Sequence, residues 1–160
     1  MKYFYNYLKT FENNEIHIYI DMDGVVADYD VLSYEDHKNE PDVYLTKRPV
    51  RSSIDTLKEI SSLSNVKLYI LSVSRKDNQV AGKMLWLKQN MDFIKEENIN
   101  IIPRESNNFK SAHELKKEFL KNNIDTSKIN ILIDDSHLVL DAIYDLNMGI
   151  IPLHITSILD

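Results

Sequence analysis

The stretch that decides the fold is IHIYIDMDGVVAD, residues 16–28 of the chain. It starts with residues suited to the centre of a sheet and then reaches two acids, Asp21 and Asp23, followed by Gly24. A short β-branched and aromatic run of this kind predicts a buried strand over residues 16–20. Two carboxylates therefore follow directly after a strand, where they can lie at the rim of the fold.

The rest of the chain alternates apolar runs with helical periodicity. Strands are predicted at residues 16–20, 66–71, 99–102, 129–133 and 150–153, with helices near residues 53–64, 78–90, 111–122 and 138–146. This βαβ rhythm predicts an α/β fold, a Rossmann-like three-layer sandwich with a central, mainly parallel five-stranded sheet and helices on both faces. The length of 160 residues predicts a single domain over residues 1–160.

Composition restricts the classes of partner. Apolar residues make up 43% and charged residues 28%, which is typical of a globular protein. The net charge of −6 argues against binding duplex nucleic acid through its phosphate backbone. No apolar run approaches the roughly 20 residues that span a bilayer, and the start of the chain does not resemble a signal peptide. We therefore expect no membrane partner. The chain also has no cysteine, which is typical of a cytoplasmic protein, so we expect that location.

Polar residues follow three of the predicted strands. Asp21 and Asp23 follow the first, Ser72 follows the second, and Asp134 and Asp135 follow the fourth. Ligands of parallel α/β sheets bind beyond the carboxyl ends of the strands, so we expect these side chains to share one cleft. Clustered carboxylates repel each other, and oxygen ligands without cysteine favour Mg²⁺ as the ion that holds them together.

The spacing of the first two acids fits a two-step phosphoryl transfer. Asp21 can attack phosphorus and form an aspartyl-phosphate. Asp23 can give a proton to the leaving oxygen and later take one from water. Gly24 permits the tight turn after them, and Ser72, or alternatively Ser74, can donate a hydrogen bond to a phosphoryl oxygen.

These motifs, DMDGV at residues 21–25, YILS ending at Ser72 and ILIDD ending at residues 134–135, resemble the haloacid dehalogenase-like (HAD) hydrolase superfamily. The resemblance implies a nucleophile at Asp21, an acid/base at Asp23 and a phosphate contact at Ser72. It further implies Mg²⁺ held by Asp21, the main-chain carbonyl of Asp23 and one of the two acids at 134 and 135.

Within the superfamily, DMDGVVADYD and the KMLW of residues 83–86 look most like the 5′(3′)-deoxyribonucleotidase branch, whose members hydrolyse nucleoside monophosphates. That branch usually inserts a helical cap between the first two motifs. Here only residues 29–50 are free for it, so we expect a short cap-region insertion. The site is then open, or a second copy of the chain closes it as a homo-oligomer.

The sequence offers two candidates for the phosphate-binding lysine. Lys110 lies after the third strand and just before a capped helix, which is the position the resemblance favours. Lys83 is the alternative, but it lies inside an amphipathic helix and is expected to be solvated or structural. Arg104, in the loop before Lys110, is a candidate substrate contact, whereas Trp86 is expected to pack in the core.

The sequence thus predicts a Mg²⁺-dependent phosphohydrolase acting through an aspartyl-phosphate on a nucleotide or nucleotide-derived phosphomonoester, in the manner of a 5′-nucleotidase. The alternative is a binding protein of the same fold that sequesters a phosphorylated nucleotide or nucleotide signal without efficient turnover. A phosphotransferase would share the intermediate and differ only in the acceptor.

Overall fold

Five parallel strands form the central layer over residues 2–159, the part of the chain that this computed structural model describes. They are β1 (Ile16–Ile20), β2 (Val66–Ser74), β3 (Ile99–Pro103), β4 (Ile129–Asp134) and β5 (Ile151–His154). The strand order is β3-β2-β1-β4-β5, and every neighbouring pair is parallel. Chain order reverses beside β1, and such a switch point opens a crevice at the carboxyl ends of the strands.

Helices cover both faces of the sheet. Over the described residues they are α1 (Lys2–Lys9), α2 (Val31–His37), α3 (Arg51–Ile60), α4 (Val80–Asn90), α5 (Ala112–Asn123) and α6 (His137–Tyr144). Side chains of α1, α3 and α4 share one buried cluster with the sheet, and side chains of α5 and α6 share a second. The predicted Rossmann-like three-layer sandwich is confirmed, and its sheet is parallel throughout.

The central strand β1 shows why its sequence is continuously apolar. Ile16, Ile18 and Ile20 are fully buried on the face covered by α1, α3 and α4. Tyr19 points into the opposite cluster, beneath α5 and α6. A strand with both faces covered has no position for solvated side chains, so the polar residues begin only where the strand ends.

Residues 29–50 leave the sheet and return to it at one place. They contain α2 followed by turns. At the base, the main chain of Asp28 donates to the Arg48 carbonyl at 2.8 Å, and that of Val50 donates to the Val26 carbonyl at 2.8 Å. The segment is therefore an insertion between β1 and α3 that sits beyond the carboxyl edge of the sheet.

One element boundary that matters for the site differs from the prediction. β2 continues to Ser74, because Ser72 and Ser74 keep their pairing with β3 at Ile101 and Pro103. Ser72 thus lies within the strand and not after it. The capped helix expected after Lys110 is confirmed as α5, whose capping box is formed by Ser111 and Glu114. No described helix has the length and apolar character needed to cross a membrane.

Candidate active site

The turn after β1 holds Asp21 and Asp23 at the carboxyl edge of the sheet. The main-chain N–H of Asp21 donates to the Ile133 carbonyl at 3.0 Å, which ties Asp21 to the end of β4. The Met22 carbonyl then accepts from the main chain of Ala27 at 2.9 Å and closes a tight loop. As expected from their spacing, both acids line one cleft of about 340 Å³.

Gly24 is required in this turn for two reasons. Its φ of +76° lies in the left-handed region that side chains disfavour. A Cβ added here would also lie 2.0 Å from Oδ2 of Asp135. The absence of a side chain at residue 24 therefore lets the Asp135 carboxylate pack over the loop that carries the first two acids. Gly24 shapes the site, and no substrate contact is needed to explain its place in the motif.

Three carboxylates converge at the switch point. Asp21, Asp134 and Asp135 each place a carboxylate oxygen within 4.8 Å of the others. The Lys116 ammonium on α5 lies 2.9 Å from Asp21 Oδ1 and 2.6 Å from Asp134 Oδ2. The other Asp134 oxygen accepts from the Ser136 main chain at 2.9 Å. Ionised, the three acids would carry three negative charges around one ammonium.

Burial and mutual repulsion disturb the titration of this group. Burial raises the pKa of Asp21 to about 6; the Lys116 ammonium opposes the shift, and the Asp134 carboxylate adds to it. Burial also raises the pKa of Asp135, helped by the Asp21 charge. For Lys116, burial alone would lower the pKa, but Asp21 and Asp134 outweigh it and raise the pKa. A further positive charge would relieve the repulsion among the acids.

The donor set fits Mg²⁺. The ligand atoms are all oxygens, they are close enough to share one ion, and the excess negative charge among the three acids calls for a cation. The side chain of Asp23 faces lysines, and the predicted ligand at this residue is its main-chain carbonyl. The candidate metal ligands are therefore Asp21, Asp134 and Asp135, with the main-chain carbonyl of Asp23 still a prediction.

Asp23 belongs to a second polar cluster beside the first. The Lys83 ammonium donates to Asp23 Oδ2 at 2.5 Å, to Ser72 Oγ at 2.7 Å and to the Val73 carbonyl at 2.8 Å. The Lys47 ammonium lies 3.4 Å from Asp23 Oδ1. Burial disfavours the Asp23 carboxylate, but Lys83 and Lys47 outweigh it and lower the pKa of Asp23.

The structure places both candidate lysines differently from the favoured prediction, although a structural Lys83 was one of the alternatives. Lys110 is exposed and pairs with Glu118 at 2.7 Å, outside the cleft. Lys83 is fully buried and hydrogen-bonded, not solvated. The lysine that bridges the nucleophile candidate and Asp134 is Lys116, which the sequence reading missed. The loop carrying Lys110 ends in the capped helix α5, and the buried face of that helix starts at Leu115 and Lys116.

The remaining predicted residues occupy distinct places. Ser72 is fully buried and accepts from Lys83 at 2.7 Å, and Ser74 donates to the Lys76 carbonyl at 3.0 Å; neither serine lines the cleft. Arg104 borders a smaller cavity of about 180 Å³ that adjoins the cleft. Trp86 is buried, as expected, and its indole N–H donates to the Lys47 carbonyl at 2.8 Å.

Aromatic rings from the insertion surround the Lys47 ammonium. The ring centres of Tyr29, Tyr34 and Tyr44 lie 5.1, 5.7 and 5.8 Å from Lys47 Nζ. All three rings line the smaller cavity, and Tyr29, which is half exposed, also lines the larger one. The insertion thus places an aromatic and cationic wall beside the carboxylates.

Comparisons with known proteins bear on the fold. No protein-family model and no curated protein matches the sequence. A chain in the structure of the Pnkp1/Rnl/Hen1 RNA repair complex matches with a TM-score of 0.65 and 15% identity, over 89% of this chain and 42% of that one. A second Pnkp1/Rnl/Hen1 structure matches with a TM-score of 0.65 and 17% identity, over 88% and 46%.

This chain thus spans less than half the length of those two chains. The HAD domain of the effector protein Lem4 from Legionella pneumophila also matches, with a TM-score of 0.48 and 15% identity, over 88% of this chain and 85% of that one. At 15–17% identity, the likeness to the two RNA repair chains shows the fold alone. It supports the α/β fold with a central parallel sheet that the sequence predicted.

Proposed function

We propose that this protein is a Mg²⁺-dependent phosphohydrolase that acts through an aspartyl-phosphate on a nucleotide. The observation that carries the proposal is the convergence of Asp21, Asp134 and Asp135 around Lys116 at the sheet edge. Mg²⁺ held by the three acids would neutralise charge on the phosphoryl oxygens and let one anion approach another. A site built only to hold a phosphate would have no need for a carboxylate facing it.

The nucleophile is Asp21. A carboxylate oxygen of Asp21 attacks phosphorus, the bond between phosphorus and the leaving oxygen breaks, and the phosphoryl group remains on Asp21. Lys116, which holds Asp21 Oδ1 at 2.9 Å, fixes the carboxylate and supplies positive charge to the transferring group. In the second step, the water oxygen bonds to phosphorus, the aspartyl oxygen leaves, and inorganic phosphate is released.

Asp23 moves the protons. Its Oδ1 is buried and accepts no hydrogen bond from the described residues, and the Lys47 ammonium lies 3.4 Å from it, so this oxygen has capacity for a proton exchanged with the substrate. An incoming phosphate dianion disfavours the neighbouring carboxylate, which favours a proton on Asp23 when the leaving oxygen needs one. After the leaving group departs, the ion pair with Lys83 favours the carboxylate, which takes a proton from the attacking water.

A nucleotide fits the walls around these acids. The cleft and the adjoining cavity are lined by Tyr29, Tyr34 and Tyr44, and tyrosine rings stack on bases of any sequence. The Lys47 ammonium beside them adds positive charge for a phosphorylated ligand. The nucleotide substrate and the likeness to the deoxyribonucleotidase branch stay proposals that rest on this wall and on the motifs.

The test is phosphate release from a panel of nucleoside monophosphates with and without Mg²⁺. Asp21→Asn should lower kcat by about 10⁴-fold or more, since it removes the group that bonds to phosphorus. Asp55→Asn, on the exposed face of α3, is the matched control and should keep full activity. Tight binding of nucleotides without any release that depends on Asp21 would instead support the alternative, a sequestering binding protein.

A further inference from the structure

A second group of positive charges lies next to the proposed phosphate site. The cavity of about 180 Å³, here called the arginine pocket, is lined by Arg75 and Arg104 together with the three tyrosines. It shares Asp23 and Tyr29 with the larger cleft, so one ligand can occupy both. The proposed mechanism uses neither arginine, and nothing in it explains why they stand together.

The strand register forces the two arginines together. Ser74 of β2 pairs with Pro103 of β3, and each arginine is the next residue along its strand. The Arg104 main chain also donates to the Ser74 carbonyl at 2.9 Å. Two guanidinium groups at adjacent strand ends repel each other unless an anion lies between or beside them.

The acids of the two arginine loops do not supply that anion, and Asp23, which also lines the pocket, is paired with Lys83. Asp77 and Glu105 follow the same two strands, yet each accepts from the main chain of the other's loop. Asp77 Oδ1 accepts from Ser106 at 3.2 Å, and Glu105 Oε2 accepts from Asp77 at 3.1 Å. The polar contacts of the arginine side chains are neutral oxygens, and neither arginine forms an ion pair within the part of the chain that the structure describes.

Arg104 is held in place before any ligand arrives. Its Nε donates to the Lys110 carbonyl at 2.7 Å, and its Nη2 donates to the Phe109 carbonyl at 3.0 Å. Asn108 and Phe109 both adopt positive φ, 55° and 52°, so the loop bends around this guanidinium. Such conformations persist only where the surroundings impose them. A guanidinium has five N–H donors, which leaves a pair free for a planar, bidentate contact with an oxyanion.

We infer that the arginine pocket binds a second phosphate of the substrate, carried by the leaving group of the phosphomonoester. The inference rests on the proposed function for the position of the first phosphate. It names the substrate class: a nucleotide with a phosphate on its sugar in addition to the one removed. Two molecules have this chemistry, a nucleoside bisphosphate and the phosphorylated end of an oligonucleotide, in which the second phosphate is a diester.

The experiment compares adenosine 5′-monophosphate, adenosine 3′,5′-bisphosphate and a 5′-phosphorylated dinucleotide as substrates. Wild type is compared with Arg75→Gln, Arg104→Gln and a control of equal charge change, Lys88→Gln, which removes an exposed lysine that pairs with Glu96 outside both cavities. Each arginine variant should lower kcat/KM for substrates with a second phosphate by about 10- to 100-fold. The monophosphate should change less than about twofold.

The two kinds of molecule that could carry the second phosphate give different results. Arginine-dependent preference for the bisphosphate alone assigns the pocket to a small molecule, and preference for the dinucleotide alone assigns it to a polynucleotide end. Equal losses on all three substrates, or no preference for a second phosphate, would overturn the inference. Because Arg104 also supports its loop, Arg75→Gln keeps the test decisive if the Arg104 variant does not fold.

Failure of the proposed function is detected separately. Binding of the three compounds to Asp21→Asn is measured by calorimetry, alone and combined with Arg75→Gln. If no substrate is hydrolysed but the bisphosphate still binds about tenfold or more tightly through Arg75, the arginine pocket stands and the phosphohydrolase does not. If hydrolysis occurs and Arg75→Gln changes neither activity nor binding, the phosphohydrolase stands and the arginine pocket does not.

Discussion

The two ends of β1 carry similar ion pairs and differ in burial. Before the strand, Glu15 lies 2.7 Å from the Lys67 ammonium and 3.1 Å from that of Lys128. After the strand, Asp21 lies 2.9 Å from the Lys116 ammonium. Measured by distance alone, the two edges of the sheet would be judged equivalent.

Exposure separates them. The Lys67 side chain is 57% exposed, whereas that of Lys116 is 3% exposed. Water and salt screen the first pair, so its contribution to stability is small. The buried pair cannot be hydrated if one partner is lost, and its charges act at short range on whatever enters the cleft. The same kind of contact therefore contributes little at one edge and has the energetics of a reactive site at the other.

The largest expected effect comes from removing the buried ammonium. Lys116→Met leaves Asp21 and Asp134 facing each other without a cation. In Mg²⁺-free buffer the free energy of unfolding should fall by about 3–5 kcal/mol, the usual result of breaking a buried ion pair from one side. Urea unfolding measures the loss, and turnover should disappear with it.

Lys121→Met, at an exposed position on the same helix, is the control and should shift the unfolding free energy by less than about 0.5 kcal/mol. Adding Mg²⁺ should recover part of the Lys116→Met loss, because the ion can take over the role of neutralising the acids. Equal stability of the two variants would mean that the buried position of Lys116 does not make its ion pair more important than an exposed lysine.

A smaller effect is expected from two glycines with nearly the same backbone. Gly24 and Gly149 have φ of +76° and +73°, but only Gly24 would place a Cβ against Asp135, since nothing lies within 4 Å of the other. Each change to alanine should lower the free energy of unfolding by about 1–2 kcal/mol through the left-handed backbone. The Asp135 side chain can move away from the added Cβ, so the further effect of the change at Gly24 should be weaker metal binding and not a larger loss of stability.

The readout is therefore the stabilisation that Mg²⁺ gives, which is about 2.7 kcal/mol when the ion is present at 100 times its Kd. Gly149→Ala should keep this stabilisation, and Gly24→Ala should lose most of it. If both variants respond to Mg²⁺ as the wild type does, Asp135 is not a metal ligand. Thermal unfolding with and without the ion measures the difference.

The sequence predicted the fold and the acids because both follow from short-range patterns. Alternating strands and helices require a parallel sheet, and acids that follow directly after strands must meet at its carboxyl edge. Asp21, Asp134 and Asp135 come together for that reason. Their separate roles are not fixed by the pattern, and which lysine completes the group depends on how a helix lies across the sheet.

The lysine prediction failed because it used the position of each lysine in a loop or helix and did not consider which faces of the helices are buried. Lys83 lies on the apolar stripe between Val80 and Leu87, and Lys116 follows Ala112 by one helical turn on the buried side of α5. A lysine at such a position must be buried and so requires a carboxylate. That signal was present in the sequence, whereas the convergence of Arg75 and Arg104 depends on a strand register that the sequence does not specify.

The smallest expected effect belongs to the exposed edge and is best seen against pH. Hydrogen bonds from Lys67, then His17 and Lys128, lower the pKa of Glu15 to about 2, from 4.5 in an unfolded chain. A lowered pKa in the folded state means that the contribution to stability is complete above pH 4.5 and is lost as the pH falls towards 2.

The free energy of unfolding of Glu15→Gln should therefore depend less on pH in that window than that of the wild type. The difference between the two should shrink at 1 M salt, where exposed pairs are screened. Glu12→Gln, an exposed acid nearby, should follow the wild type. If Glu15→Gln instead retained the wild-type slope, the cluster at this edge would contribute nothing, and the contrast with Lys116 would be complete.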